Sequence, residues 1–134
     1  MVLAALAAGC AAQEPVDRAG AVPPAILRAT EGRVAGTPVA CVSQLGLRNT
    51  RAVAGAILFE GPGNVVYVNE GLGGCGALAL GRAIRTGNPT GRLCRGDIVT
   101  AFDPVSGAEF GGCALGDFVP WRRDVRDAPG WRRR

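Results

Sequence analysis

From Arg33 onward the apolar runs of this chain are short, and Gly or Pro interrupts them every few residues. Such spacing favours strands over helices. Strand-like runs lie near 38–42, 51–60, 64–70, 82–86, 92–102 and 108–120. Gly61-Pro62-Gly63-Asn64 parts Ala56-Ile57-Leu58-Phe59-Glu60 from Val65-Val66-Tyr67-Val68-Asn69, which predicts a hairpin. Asp103-Pro104-Val105-Ser106-Gly107 parts the next pair in the same manner, with Asp opening the turn and Gly closing it. Alternation agrees with both hairpins. Ile98, Thr100 and Phe102 fall on one side of a strand, and Asp97, Val99 and Ala101 on the other. Val66 and Val68 likewise oppose Val65, Tyr67 and Asn69. About six strands with little helix predict a mainly β fold, a small antiparallel barrel or a bent sheet. A short N-terminal helix is expected where Pro23-Pro24 leads into Ile26, Leu27 and Arg28, with Gly32 ending it.

The first ten residues have a different pattern. Met1-Val-Leu-Ala-Ala-Leu-Ala-Ala-Gly9 is an unbroken apolar run closed by small residues and Cys10. It looks like the end of a bacterial lipoprotein signal, with Ala8 and Gly9 placed for processing before an acylated Cys10. A positive n-region is missing and the run is short for a signal core, as a start site assigned too late would produce. Ten apolar residues cannot span a bilayer. Lipid on Cys10 would therefore anchor the protein without crossing the membrane. Residues 11–30 then read as a polar, Pro-containing tether ending in the short helix, 31–121 as the β-rich domain, and 122–134 as a basic tail.

Charge sharpens this division. All 15 basic residues are Arg, and Lys and His are absent. Residues 1–120 hold nine Arg against nine acids, whereas Trp121–Arg134 holds six Arg and two Asp, the whole net charge of +4. The body has no basic footprint of the kind a nucleic-acid reader needs, so no nucleic-acid partner is expected. The tail, through Trp121, Arg122, Arg123, Trp131 and Arg132, is expected to touch an anionic membrane surface. Trp121 follows the last strand directly, which gives packing on the domain as its other fate.

The missing residues exclude chemistry. Without His there is no Ser-His or Cys-His nucleophile and no imidazole metal ligand, and without Lys there is no Schiff base. No enzyme, cofactor or metal is expected. Besides Cys10, four cysteines remain: Cys41, Cys75, Cys94 and Cys113. An even number in a small exported chain predicts two disulfides, each contributing roughly 3 kcal/mol by the loop-closure model. The spacings contain no C-x2-C knuckle for a metal. Of three connectivities, Cys75–Cys94 with Cys41–Cys113 is the expected one. Cys75 lies in the loop before the strand carrying Cys94, and a hairpin turning near Val105 puts Cys94 and Cys113 out of register.

The order of several segments adds a resemblance. Gly32-Arg33-Val34-Ala35-Gly36-Thr37-Pro38-Val39-Ala40-Cys41-Val42 precedes Ile57-Leu58-Phe59, Tyr67-Val68-Asn69 and Gly74-Cys75-Gly76-Ala77-Leu78. Leu93-Cys94-Arg95-Gly96-Asp97-Ile98 and Cys113-Ala114-Leu115-Gly116-Asp117-Phe118-Val119-Pro120 come next. This series over residues 31–121 resembles a family of small exported proteins of unknown function from Gram-negative bacteria, the DUF6491-like group. The resemblance implies export and carries no catalytic residues with it. The Arg-rich extension after Trp121 lies outside its pattern.

Candidate ligand contacts are few. Asp97 follows Cys94-Arg95-Gly96 and Asp117 follows Gly116, so the two acids could pair for acid–base work, or each could bond nearby backbone amides in a turn. Asn69 is a polar ligand group or a turn cap. The Gly71–Gly76 loop could present amides to an anion, but it lacks the Lys and Ser or Thr of a phosphate loop. Two readings remain. The first is an exported, lipid-anchored envelope protein on the periplasmic side, or a soluble periplasmic one after signal cleavage, with a non-enzymatic binding or structural role and an envelope protein as partner. The second is a small-ligand binder or minor enzyme using Asp97, Asp117 and the Gly-rich loop. A pocket gathering Asp97, Asp117 and Arg95 would favour the second reading, and scattered acids the first.

Overall fold

A computed structural model describes residues 22–72, 75–78 and 81–123. Helix α1 spans Pro24–Ala29. The strands are β1 Arg33–Ala35, β2 Cys41–Ser43, β3 Asn49–Val53, β4 Ala56–Glu60, β5 Val66–Asn69, β6 Ala83–Thr86, β7 Arg92–Cys94, β8 Ile98–Phe102, β9 Glu109–Ala114 and β10 Val119–Arg123. A five-stranded antiparallel sheet has the order β1-β10-β5-β4-β3. A three-stranded sheet has the order β6-β8-β9, and β2 pairs with β7 alone. The fold is mainly β, with open, bent sheets and no closed barrel among the described residues.

Both expected hairpins form. Leu58 faces Val68 and Phe59 faces Tyr67 across β4–β5, and Thr100 faces Gly112 across β8–β9. The strand count differs from expectation because single runs break. The 51–60 run folds back on itself at Gly55, with Val53 opposite Ala56. The 92–102 run is cut between β7 and β8 by Gly96, and the 108–120 run ends at Ala114 and resumes at Val119. Gly55 and Gly96 sit at φ 81° and 90°, a region that a residue with a Cβ rarely enters. The first turn is hidden inside an apolar run because Val53 and Ala56 on either side of it stay buried, whereas the second has exposed Arg95 and Ile98 around it. β1 gave no sequence signal, since Val34 is 60% exposed and pairing with β10 alone holds the strand.

Each face of the five-stranded sheet covers its own core. On one face Ile57 and Phe59 of β4 pack with Val99, Cys113, Leu115 and Phe118 from the other strands and loops. Phe118 is the centre of that layer, tilted against Phe59 at 5.5 Å and edge-on to Tyr67 at 6.5 Å between ring centroids. On the other face Leu58, Val66 and Val68 receive Ile26, Ala25 and Ala29 of α1, with Trp121 beside them. A six-residue helix cannot persist alone, so this burial holds it. Thr30 closes it by donating its hydroxyl to the Ile26 carbonyl at 2.7 Å. Residues 22–30, expected in a tether, therefore belong to the domain. So do Arg122 and Arg123, which pair with Val34 and Arg33.

The four cysteines form two disulfides, but not in the expected pairing. Cys41 is bonded to Cys94 and Cys75 to Cys113. The break at Gly96 explains the difference. It puts Cys94 on β7, where it lies directly opposite Cys41 of β2 with Cα atoms 4.0 Å apart. Cys113 then faces the loop that follows β5, which carries Cys75. The bridges span 53 and 38 residues. By the loop-closure model each stabilises the fold by about 4 kcal/mol. Peptide mapping of the unreduced protein should find Cys41–Cys94 and Cys75–Cys113 and no free thiol at these four positions. Recovery of Cys75–Cys94 would contradict the register of β2 on β7.

Asp103 governs the β8–β9 turn. Its Oδ1 accepts from the Val105 amide at 2.7 Å and the Ser106 amide at 3.0 Å. The Ser106 and then the Val105 amide hold the carboxyl below its ordinary value of 3.8. A folded-state value below the unfolded one stabilises above the ordinary value, and the gain disappears as pH falls through the lowered one. Asp103→Asn keeps the acceptor and removes the charge. Urea titrations should show the variant slightly less stable than the parent at pH 7, with the gap closing in acid below pH 3.8.

Candidate functional site

The site begins at the end of β5. Asn69 is fully buried, and all of its side-chain bonds go to backbone. Its Nδ2 donates to the Gly116 carbonyl at 2.9 Å. Its Oδ1 accepts from the Gly71 amide at 3.0 Å and the Gly116 amide at 2.9 Å. One carboxamide thus ties the loop leaving β5 to the loop entering β10. A Cβ on Gly116 would lie 2.9 Å from the Gly71 carbonyl oxygen, so only glycine permits this approach. Asn69, a candidate ligand contact, is therefore spent inside the protein. Its capping role was legible in the sequence, but its reach across to Gly116 was not.

Asp97 and Asp117 engage different partners and make no hydrogen bond to each other among the described residues. One carboxylate oxygen of Asp97 accepts from the Cys94 amide at 2.8 Å and from Asn88 Nδ2 at 2.7 Å. It shapes the turn between β7 and β8, as Asp commonly does through nearby amides. Asp117 instead takes a 2.8 Å ion pair from Arg95, with both side chains about half exposed. Pairs this wet contribute under about 1 kcal/mol to stability. Their position matters more than their strength.

Arg95 and Asp117 stand at the lip of a cleft of about 420 Å³ between α1 and the sheet. Ile26, Val68, Val119 and Trp121 form its apolar wall. Glu70, Gly71, Leu72, Val22 and Pro38 complete its lining. Of the three residues whose gathering in one pocket would favour a ligand-binding reading, Arg95 and Asp117 line the cleft and Asp97 does not. Gly71 and Leu72 of the Gly-rich loop line the cleft, while Gly73 and Gly74 lie outside the described residues. Glu70 and the Trp121 wall were not anticipated, although an acid directly after a strand-ending Asn was visible in the sequence. Trp121 packs against the helix-side core and the cleft, the second of its two expected fates. Cys10, Trp131 and Arg132 lie outside the described residues. Among the described residues no cluster of His, Cys, Asp and Glu could hold a metal ion.

The lip carries one guanidinium against the carboxylates of Glu70 and Asp117. Among the described residues Glu70 makes no ion pair, so the charge left over is negative. An apolar wall under a net negative lip suits an apolar group with a cationic end, and Trp121 adds a ring face for that cation. Compared with protein-family models, curated proteins and solved structures, the chain matches none.

Removing the Asn69 carboxamide leaves the buried Gly116 amide and carbonyl and the part-buried Gly71 amide without their partners. Asn69→Ala should cost about 2–4 kcal/mol in urea denaturation, on the scale of buried groups left unpaired. A loss below about 0.5 kcal/mol, the range of neutral surface changes, would show that the loops hold without it.

Proposed function

We propose that this chain is an exported envelope protein, anchored by lipid on Cys10, that works by binding rather than catalysis. Its binding site is the cleft between α1 and the five-stranded sheet, and its partner is an envelope protein offering an apolar segment with a cationic end. The observation that carries this reading is the cleft itself, an apolar wall with a half-exposed ion pair and Glu70, which makes no ion pair among the described residues. Export is supported by the two disulfides, since such bonds persist in oxidising compartments. Anchoring is supported by the apolar run ending Ala-Ala-Gly-Cys. The engagement of Asp97 by Asn88 and the Cys94 amide, and of Asp117 by Arg95, supports a role without acid–base chemistry.

The cleft also favours a second reading, a small-ligand binder using Asp117 and the Gly71–Leu72 rim without Asp97. Its volume falls in the lower part of the range for small-molecule sites, roughly 300–1,000 Å³.

Two measurements test the proposal. Intact mass of the mature protein should show an acylated Cys10 at its N-terminus, and an unmodified Cys10 in a soluble fraction would refute anchoring. Trp121 fluorescence, read in a Trp131→Phe background, should shift saturably with octyltrimethylammonium and far less with octanoate. Glu70→Gln should weaken the cationic probe several-fold. Equal response to both probes, or none, would refute the cleft's assigned preference.

A further inference from the structure

A second cleft, of about 200 Å³, opens on the same helix-bearing face at the other end of β5. Arg33, Arg48, Arg51 and Glu60 line it, with Ala29, Asn64, Val65 and Val66 completing the wall. Strand alternation shows how the charges converge. Arg51 lies two residues before Val53 on β3, and Glu60 two after Leu58 on β4. Val53 and Leu58 both pack beneath α1, so Arg51 and Glu60 share that face. Trp121 packs there too, which puts Arg123, two residues further along β10, on this face. Arg33 is the direct register partner of Arg123. Like charges set opposite one another across a ladder destabilise it unless something neutralises them.

No carboxylate does so among the described residues. The ion pairs there are Arg85–Glu109 and Arg95–Asp117, and neither involves Arg33, Arg48, Arg51, Arg123 or Glu60. Three guanidinium groups line the cleft against one carboxylate. Two of them are held in place by backbone. Arg33 donates from Nε to the Asn64 carbonyl at 3.3 Å and from a terminal nitrogen to the Ala29 carbonyl at 3.5 Å. Arg48 donates to the Gly61 carbonyl at 2.9 Å. A guanidinium has five N–H donors, so most of theirs stay available, and Arg51 makes no side-chain bond among the described residues. Guanidinium forks match the oxygens of phosphate in geometry and charge.

We infer that this cleft is an oxyanion site that takes a phosphate group between Arg33, Arg48 and Arg51, with Glu60 opposing the anion. The site is separate from the cleft at the far end of β5 and does not depend on that cleft's role. A free phosphate ester and a phospholipid headgroup present the same chemistry, and the volume accommodates a phosphate with a short substituent.

The test is calorimetric titration of the full oxidised chain with inorganic phosphate and with glycerol 3-phosphate at low ionic strength. Saturable one-to-one binding is expected. Arg51→Gln should weaken it roughly tenfold, on the scale of one charge-assisted contact, and Glu60→Gln should tighten it. Arg92→Gln, at an exposed position on β7, should leave it unchanged. Sedimentation with phosphatidic acid vesicles identifies the source of the phosphate. Loss of vesicle binding in Arg51→Gln, with competition by glycerol 3-phosphate, assigns a lipid headgroup. Vesicle binding indifferent to both, with the soluble probes still bound, assigns a free phosphate ester. Absence of saturable binding to either soluble probe, or equal weakening by Arg51→Gln and Arg92→Gln, would overturn the site.

Discussion

The fold turns on one buried carboxamide. Asn69 ends the central strand of the five-stranded sheet and holds both Gly71 and Gly116 through backbone groups. A buried amide is costly unless its polar atoms are bonded, and these three bonds offset that cost. They also direct the chain beyond them. Past Gly71 the loop reaches Cys75 and its bridge to Cys113. Just before Gly116, Leu115 is fully buried, and just after it Asp117 is turned out toward Arg95. The cleft lip is therefore set by a residue that does not line it.

Around that tie the protein divides little apolar material between two layers. The five-stranded sheet buries both faces, so β4 reads as an unbroken apolar run of Ala56, Ile57, Leu58 and Phe59. Val, Leu and Ile make up most of the interior, and among the described residues Phe59 and Phe118 are its buried aromatic side chains. A thin core of this kind gains most from covalent closure of long loops. The two disulfides each fasten an element with few other contacts, the short β2–β7 pair and the loop after β5. The helix-bearing face consequently carries two openings of opposite character, one lipped by Glu70 and Asp117 and one lined by Arg33, Arg48 and Arg51.

The sequence made local features legible and left long-range ones hidden. Both hairpins could be read because Gly61-Pro62-Gly63-Asn64 and Asp103-Pro104-Val105-Ser106-Gly107 carry their turns in four or five neighbouring residues. The helix was visible in Pro23-Pro24, but its membership of the core was not, since Ile26 is one apolar residue among small ones. The turns at Gly55 and Gly96 were hidden because each interrupts an apolar run with a single glycine. Without the second turn, Cys94 falls on the wrong strand and the disulfide pairing comes out wrong. For the site, Asp97 and Asp117 were paired from their matching places after two cysteines, and Arg95 entered only as a third member of a pocket that would gather both acids. The exclusion of Asp97 depended on Asn88 and the Cys94 amide, contacts that no spacing rule supplies. The basic cleft was hidden for the same reason. Arg33, Arg48, Arg51 and Glu60 come from separate segments, and only strand register brings them to one face.

The central claim is that Asn69 fixes both glycine loops as one unit with the sheet. Native-state hydrogen exchange of the Gly71 and Gly116 amides measures this directly. Both amides donate to the same oxygen, so they should exchange together, at the free energy of global unfolding, and become fast together in Asn69→Ala. Rapid exchange of either amide in the parent protein, or protection unaffected by Asn69→Ala, would contradict the claim.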